Sequence, residues 1–193
     1  MIAPRKVRDN AIIDILETVP KQPFEGSAWR IVRGDRDPLR SSSPKSRWDD
    51  GSFDVLYTSL DADGAKAEMY FHLMRGQPVF PSQIDFRLFE LDLKLLGALR
   101  FPDKNSLAAL GVDVTNYGGL AYARKGEEYT ATQRIGEAAH FLEADALLIP
   151  NARWTCLNAV LFTNRILPTQ ISIKRDHGIV DWKAWKKRLP HSS

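Results

Sequence analysis

Four polar side chains in the first third of the chain could do chemistry together: Arg30, Arg47, Tyr57 and Glu68. A carboxylate stabilises positive charge that develops in a reacting group, and a planar guanidinium binds pairs of anionic oxygens. The helical neighbours of Glu68 are mostly small or apolar, which predicts that its carboxylate packs inward. A plainer interpretation stays open, in which Glu68 pairs with an arginine, Tyr57 belongs to the core and the arginines are solvated.

The hydrophobic pattern predicts the elements that would position these side chains. Strands are predicted over residues 28–32, 55–59, 84–93, 146–149, 159–162 and 170–173, and helices over residues 7–19, 61–74, 130–142 and 181–189. A capping box, Thr130 to Gln133, marks the start of the third helix. Residues 34–46 are predicted to form a long basic loop, and residues 111–126 a mobile loop region. A strand, a turn and a helix packed on the sheet can bring Tyr57 and Glu68 to one cleft.

Length and composition predict one α+β domain. A chain of 193 residues with 44% apolar residues can bury one substantial core, and no internal repeat is visible. We divide it into residues 1–27, an amphipathic helix with a connector, and residues 28–193, the catalytic domain. Apolar runs are too short to cross a bilayer, and Asp14 and Glu17 interrupt a possible signal peptide, so a cytoplasmic protein is expected. Cys156 has no second cysteine with which to form an internal disulfide.

Several common chemistries have no motif here. The chain contains no GxxxxGK[ST] or GxGxxG sequence, which argues against a phosphate loop and a Rossmann dinucleotide site. The four histidines stand at no zinc-ligand spacing, so no metal site is predicted. Cys156 could act as a nucleophile with His177 as its base, but a lone thiol in an apolar region is more often simply buried.

A nucleic-acid-binding module is a second class of function. Near its C-terminus the chain combines aromatic and basic side chains: Trp182, Lys183, Trp185, Lys186, Lys187 and Arg188. The alternative is a terminal helix that packs its tryptophans on the core and leaves its lysines in solvent. No known nucleic-acid motif accompanies these residues, so direct binding of nucleic acid is not expected.

The order of several short segments resembles the RES-domain family. They are AWRIV (28–32), SRWDDG (46–51), LYTS (56–59), AKAE (65–68), TQRIGEAAH (132–140), LLIPNARW (147–154) and NAVLF (158–162). The resemblance covers roughly residues 28 to 175. It implies an ADP-ribosyltransferase-like fold of the diphtheria-toxin type, with a mixed sheet core and flanking helices.

The same resemblance implies a function and partners. RES proteins are toxins of bacterial toxin–antitoxin pairs that break the nicotinamide–ribose bond of NAD+. Transfer of ADP-ribose to a protein target is the expected reaction, and NAD+ hydrolysis or phosphorolysis is the alternative. A cognate antitoxin that covers the active site is the expected partner.

Site residues are carried over from the family position by position. The resemblance implies catalytic roles for Glu68, Tyr57 and Arg30, with Arg30, Arg47, Tyr57 and Asn151 binding NAD+ as substrate. Where the family usually has a serine, this sequence has Asn151, which still donates and accepts hydrogen bonds but lacks the hydroxyl. We interpret this change as a feature of a branch that transfers ADP-ribose to an acceptor other than water.

Overall fold

The computed structural model describes residues 8–42, 45–74, 84–118 and 125–187. Its strands are β1 (Gln22–Arg33), β2 (Val55–Ser59), β3 (Phe86–Arg100), β4 (Ala146–Pro150), β5 (Leu157–Phe162) and β6 (Ile171–Ile179). Its helices are α1 (Asn10–Thr18), α2 (Ala62–Met74), α3 (Lys104–Ala108), α4 (Lys125–Phe141) and α5 (Trp182–Lys187). A short 3-10 turn, Pro168–Gln170, precedes β6.

The strands form a mixed six-stranded sheet in the order β1-β2-β5-β4-β3-β6. Strand β1 also pairs with β3 along its length, from Gln22 opposite Ala98 to Arg33 opposite Phe86, so the sheet closes on itself. Strands β3 and β4 run parallel, and the other pairings are antiparallel. Strands β1 and β2 meet where Trp29, inside β1, lies opposite Ser59, the last residue of β2.

Apolar side chains fill both faces of this sheet. One cluster is formed by strand residues that include Leu56, Leu91, Leu148 and Leu161. A second cluster, to which α1 and α4 also contribute, contains Leu147, Val160 and Phe162. A third cluster lies where α2 and α5 cover β1 and β3. Burial of these side chains is the main stabilising contribution to the fold, because each removes apolar surface from water.

The predicted α+β class with a mixed sheet and flanking helices is confirmed. Strand β2 has the predicted bounds, but β1 begins at Gln22 rather than Ala28, β3 extends to Arg100 and β6 to Ile179. Pro23 and Gly26 weaken the strand signal at the start of β1, and pairing with β3 overrides it. Residues 119–124 of the predicted loop, and Leu189 at the predicted end of the last helix, lie outside the described residues.

The predicted capping box is wrong. Helix α4 begins at Lys125, so Thr130 lies inside the helix rather than before it. The short helix α3 was not predicted; it begins after Asp103, whose side chain accepts a hydrogen bond from the backbone N–H of Ser106. Such caps are local, but five residues are too few to show helical periodicity.

The C-terminal tryptophans pack against the domain. Trp185 is buried and its indole N–H donates to Asp63 at 3.0 Å, while Trp182 packs beside Phe86 and Tyr70. The two tryptophans thus pack within the domain, as the alternative to a nucleic-acid-binding surface predicted. Across the described ranges, no helix combines the length and apolar character required to cross a membrane.

Candidate active site

A cleft of about 470 Å³ lies between the ends of β1 and β2, helix α2 and residues 45–48. The four predicted side chains Arg30, Arg47, Tyr57 and Glu68 all line it. Its volume falls within the range of about 300–1,000 Å³ that is usual for small-molecule sites. The structure therefore brings together residues that are up to 38 positions apart in sequence.

Arg30 is a buried guanidinium with an incomplete set of hydrogen bonds. Only 7% of the residue is exposed, and its Nη2 donates to the carbonyl oxygen of Arg40 at 2.9 Å. Its Nη1 is buried and makes no hydrogen bond within the described part of the chain. Burial, followed by repulsion from Arg36, lowers the pKa of Arg30 to about 10. A buried cation in this state favours an anionic ligand, because such a ligand would restore the missing interactions.

The 45–49 segment (residues 45–49) carries Arg47 and is held from both sides. Asp49 is fully buried and accepts the backbone N–H groups of Lys45 at 2.6 Å and Ser46 at 3.0 Å. From α4, Gln133 donates to the carbonyl oxygen of Ser46 at 2.7 Å, and Thr132 donates to that of Arg47. The backbone of the segment is thereby fixed on both sides of Arg47.

Aromatic rings surround the guanidinium of Arg47. Its central carbon lies 5.2 Å from the ring centroid of Tyr117 and 5.9 Å from that of Tyr129. Guanidinium groups are stabilised over the electron-rich faces of such rings. Backbone hydrogen bonds and neighbouring aromatic rings therefore both restrict the position of Arg47 in the cleft wall.

Tyr57 joins the 45–49 segment to the sheet. Its hydroxyl accepts the backbone N–H of Trp48 at 2.8 Å and donates to Asp49 at 3.2 Å. Burial and the neighbouring carboxylate of Asp49 raise the pKa of Tyr57 well above its usual value. The hydroxyl is thus protonated and occupied, while the residue still lines the cleft.

Helix α2 positions Glu68. Asp61 accepts the backbone N–H groups of Asp63 and Gly64, both at 2.8 Å, and so caps the helix. Gly64 permits a close approach to the sheet, because a Cβ atom there would lie 2.5 Å from Cys156 Sγ and 2.6 Å from Ser59 Oγ. One turn later, the side chain of Glu68 is 20% exposed at the cleft.

The carboxylate of Glu68 is held by the turn that follows β4. Its Oε1 accepts the backbone N–H of Ala152 at 3.2 Å and faces the amide Nδ2 of Asn158 at 3.5 Å. Its Oε2 lies 4.0 Å from Nε2 of the exposed His72. Among the described residues, Glu68 has no arginine partner of the kind that the plainer interpretation of the sequence proposed; its hydrogen-bond donors there are amide N–H groups.

Asn151 lies behind this carboxylate and is not among the lining residues of the cleft. It is 4% exposed, its Oδ1 accepts the backbone N–H groups of Arg153 and Trp154, and its Nδ2 donates to Asn158. These contacts are with protein groups, and direct binding of a ligand by Asn151 stays a prediction.

Sequence reasoning missed Asp49 and the position of Asn158. Aspartate side chains often accept hydrogen bonds from nearby backbone N–H groups in turns. Asp49 stands inside the SRWDDG segment, so this signal was present in the sequence. For Asn158 the sequence contains no comparable signal, since its contacts with Glu68 and Asn151 depend on the pairing of β5 with β2 and β4.

The cleft is strongly basic, although the whole chain has a net charge of only +3. Its cationic lining residues are Arg30, Arg33, Arg36, Lys45 and Arg47. Among the described residues that line it, Glu68 is the single carboxylate. Local concentration of positive charge attracts an anion, and Glu68 offers one place where positive charge is stabilised.

The alternative thiol site is not assembled. Cys156 Sγ lies 3.3 Å from Ser59 Oγ, and burial raises the pKa of its thiol. His177 is on β6, where its Nε2 lies 3.3 Å from Glu90. A thiol needs a nearby base or a lowered pKa to act as a nucleophile, and Cys156 does not have His177 as that base. Within the described ranges, no group of three or more His, Cys, Asp or Glu side chains could hold a metal ion.

This fold and cleft define an α+β protein with a basic cleft that contains one carboxylate among its described lining residues. Residues 27–183 match the RES domain model, and the chain therefore belongs to the RES domain family. The matched stretch contains all four polar side chains of the cleft. The sequence matches no curated protein.

Among solved structures, the fold is similar to a chain in the crystal structure of the M. tuberculosis MbcT–MbcA toxin–antitoxin complex. The TM-score is 0.76 at 16% sequence identity, and the match covers 93% of this chain and 97% of that chain. At this identity the likeness concerns the fold. It spans nearly the whole of both chains.

Proposed function

We propose that this protein is a toxin that breaks the bond between nicotinamide and ribose in NAD+ and transfers ADP-ribose to a protein acceptor. The observation that carries the proposal is Arg30, a buried guanidinium with a free Nη1, in the same cleft as Glu68. NAD+ has an anionic pyrophosphate and a cationic nicotinamide. Its two charges match a site that has arginines on one side and a carboxylate on the other.

In this proposal the arginines bind and Glu68 acts on the reacting ribose. Arg30 and Arg47 bind pyrophosphate oxygens, for which the planar guanidinium is suited. The bond between ribose C1′ and nicotinamide N1 then breaks, and its electron pair neutralises the nicotinamide nitrogen. Positive charge develops on the ribose, as in glycoside cleavage, and the carboxylate of Glu68 stabilises it. The acceptor atom bonds to C1′ and its proton leaves to solvent.

Tyr57 contributes a fixed aromatic surface. Its hydroxyl is held by Trp48 and Asp49, so the ring has little freedom to turn away from the cleft. We propose that the ring of Tyr57 stacks on nicotinamide. This contact uses the π-face of the tyrosine rather than its hydroxyl. Holding the ring before the substrate arrives lowers the entropy that binding must remove.

An antitoxin that covers the cleft is the proposed partner. The family resemblance supports this, as does the likeness to a chain from a toxin–antitoxin complex. Expression in bacterial cells tests the toxin role. Growth should stop with the wild-type protein and continue with Glu68→Ala at an equal level of folded protein.

The reaction is tested by following two labels on NAD+, one in nicotinamide and one in the adenylate. Purified protein is incubated with labelled NAD+ alone or with a bacterial lysate, beside Glu68→Ala with an unchanged melting temperature. Release of nicotinamide with the adenylate label attached to a lysate protein identifies a transferase. Free ADP-ribose, or its phosphate ester when phosphate is added, identifies a hydrolase or a phosphorylase. If NAD+ stays intact in every incubation, the proposal is wrong.

A further inference from the structure

A chain of side-chain amides connects the turn after β4 to the carboxylate of Glu68. The chain begins at Asn151, whose Oδ1 accepts the backbone N–H groups of Arg153 at 2.7 Å and Trp154 at 2.9 Å. A backbone N–H is a donor only, so these two bonds determine which end of the Asn151 amide is its oxygen. The amide nitrogen of Asn151 must therefore face the other way.

The direction set at Asn151 passes to Asn158. Asn151 Nδ2 donates to Asn158 Oδ1 at 2.8 Å, which leaves Asn158 Nδ2 toward Glu68 Oε1 at 3.5 Å. Strand pairing supports this arrangement, because Asn158 lies opposite Ser59 in β2 and opposite Ile149 in β4. The side-chain amides of Asn151 and Asn158 therefore each have one possible orientation as long as the turn holds Asn151.

We infer that Asn158 is a positioning residue for Glu68 and that Asn151 sets the direction of its amide. The inference rests on the proposed function, in which Glu68 stabilises charge on ribose. Donors from Ala152 and Asn158 both meet Oε1, so the oxygen left for the substrate is Oε2, which lies 4.0 Å from the exposed His72. Electrostatic stabilisation depends on a carboxylate whose position is fixed before the reaction, and these contacts fix it.

The variant Asn151→Asp tests the orientation of these side-chain amides with almost no change in the shape of residue 151. A carboxylate at position 151 can accept the same two backbone N–H groups, so the turn should be kept. Its second oxygen cannot donate to Asn158, whose amide must rotate and place its own oxygen against Glu68. We expect kcat for nicotinamide release to fall roughly 10- to 100-fold, the scale seen when a reacting group is misplaced. KM for NAD+ should change much less.

Two further variants separate this effect from general damage. Asn151→Ser retains a hydroxyl that can accept from the turn and donate to Asn158, so it should recover much of the kcat lost in Asn151→Asp. Asn164→Asp makes the same amide-to-acid change at an exposed residue outside the cleft and should leave kcat unchanged. A wild-type kcat in Asn151→Asp, with its melting temperature preserved, would overturn the inference.

A second measurement does not depend on NAD+ cleavage. In NMR spectra, the side-chain amide protons of Asn158 should shift in Glu68→Ala and again in Asn151→Asp, while those of Asn164 stay in place. An Asn158 amide that does not respond to either change would overturn the inference, whatever the protein does to NAD+. Responsive amides in a protein that leaves NAD+ intact would instead overturn the proposed function and retain Asn158 as the positioning partner of Glu68.

Discussion

Gly136 in α4 lies so close to Trp48 that a Cβ atom at position 136 would be 1.9 Å from the carbonyl oxygen of Trp48. The atoms that this Cβ would meet belong to the backbone of Trp48, so no side-chain rotation can relieve such a clash. The absence of a side chain at Gly136 therefore lets α4 rest directly on the 45–49 segment, which carries Arg47. A glycine that would otherwise weaken a helix is here required by packing.

Gly136→Ala should consequently destabilise the fold by about 2–4 kcal/mol, since the helix and the segment must separate. Thermal unfolding measures this as a lower melting temperature. The control is Gly97→Ala, where the new Cβ would meet Lys21 Cδ at an ordinary 3.5 Å. Equal melting temperatures for Gly136→Ala and the wild type would show that the close packing of α4 is not as described.

Tyr57→Phe removes the hydroxyl that links Trp48 and Asp49. Leaving buried hydrogen-bonding groups without that partner should cost about 1–3 kcal/mol near neutral pH, measured by chemical unfolding. Because folding raises the pKa of Tyr57, its stabilising effect is complete below the unfolded value of 10.0 and declines as the pH rises beyond it. The stability difference between wild type and variant should therefore shrink above pH 10, and a constant difference would contradict this.

Arg30→Lys keeps a positive charge but loses the planar pair of donors. If Arg30 binds pyrophosphate, Kd for NAD+ should rise about tenfold, equivalent to about 1.4 kcal/mol. Calorimetric titration at constant salt measures this Kd. Arg175→Lys makes the same change on the exposed strand β6, outside the cleft, and should bind NAD+ as the wild type does. Indistinguishable affinities for the two variants would remove Arg30 from the binding site.

Glu90 should give acid-dependent stability away from the cleft. Hydrogen bonds from Lys174 at 2.8 Å and Ser27 at 2.7 Å lower the pKa of Glu90 to about 2. A lowered folded pKa stabilises the fold above the unfolded value of 4.5, and this contribution is lost as pH falls toward 2. Melting temperatures of wild type and Glu90→Gln should differ at pH 7 and converge between pH 4.5 and 2. A gap that persists over this range would rule out the Glu90 contacts as its cause.

Local patterns were sufficient to predict several elements of the fold. Strands β2 and β4 were placed closely, because each is a short run of almost wholly buried residues, which is typical of a central strand. Asp61 indicated the start of α2, because aspartate is a common N-cap residue, and it caps the helix in the structure. The inward position of Glu68 also followed from the small residues around it.

The remaining features depend on contacts between distant parts of the chain. The early start of β1 comes from its pairing with β3, and Gly136 is required by a backbone segment 88 positions earlier in the sequence. The amide chain through Asn158 needs three strands to be in register. No periodicity or single motif contains this information. The ADP-ribosyltransferase-like core, the NAD+ substrate and the roles of the cleft residues stay predictions.

The most direct test of the account is the initial rate of nicotinamide release from NAD+ by wild-type protein and by Glu68→Gln, with NAD+ affinity and melting temperature measured for both. Glutamine preserves the size of the side chain but removes the charge that is proposed to stabilise the ribose cation. We predict a rate at least about 100-fold lower with similar affinity, as for loss of an electrostatic group acting on the transition state. An equal rate for the two proteins, or no release by the wild type, would contradict the account.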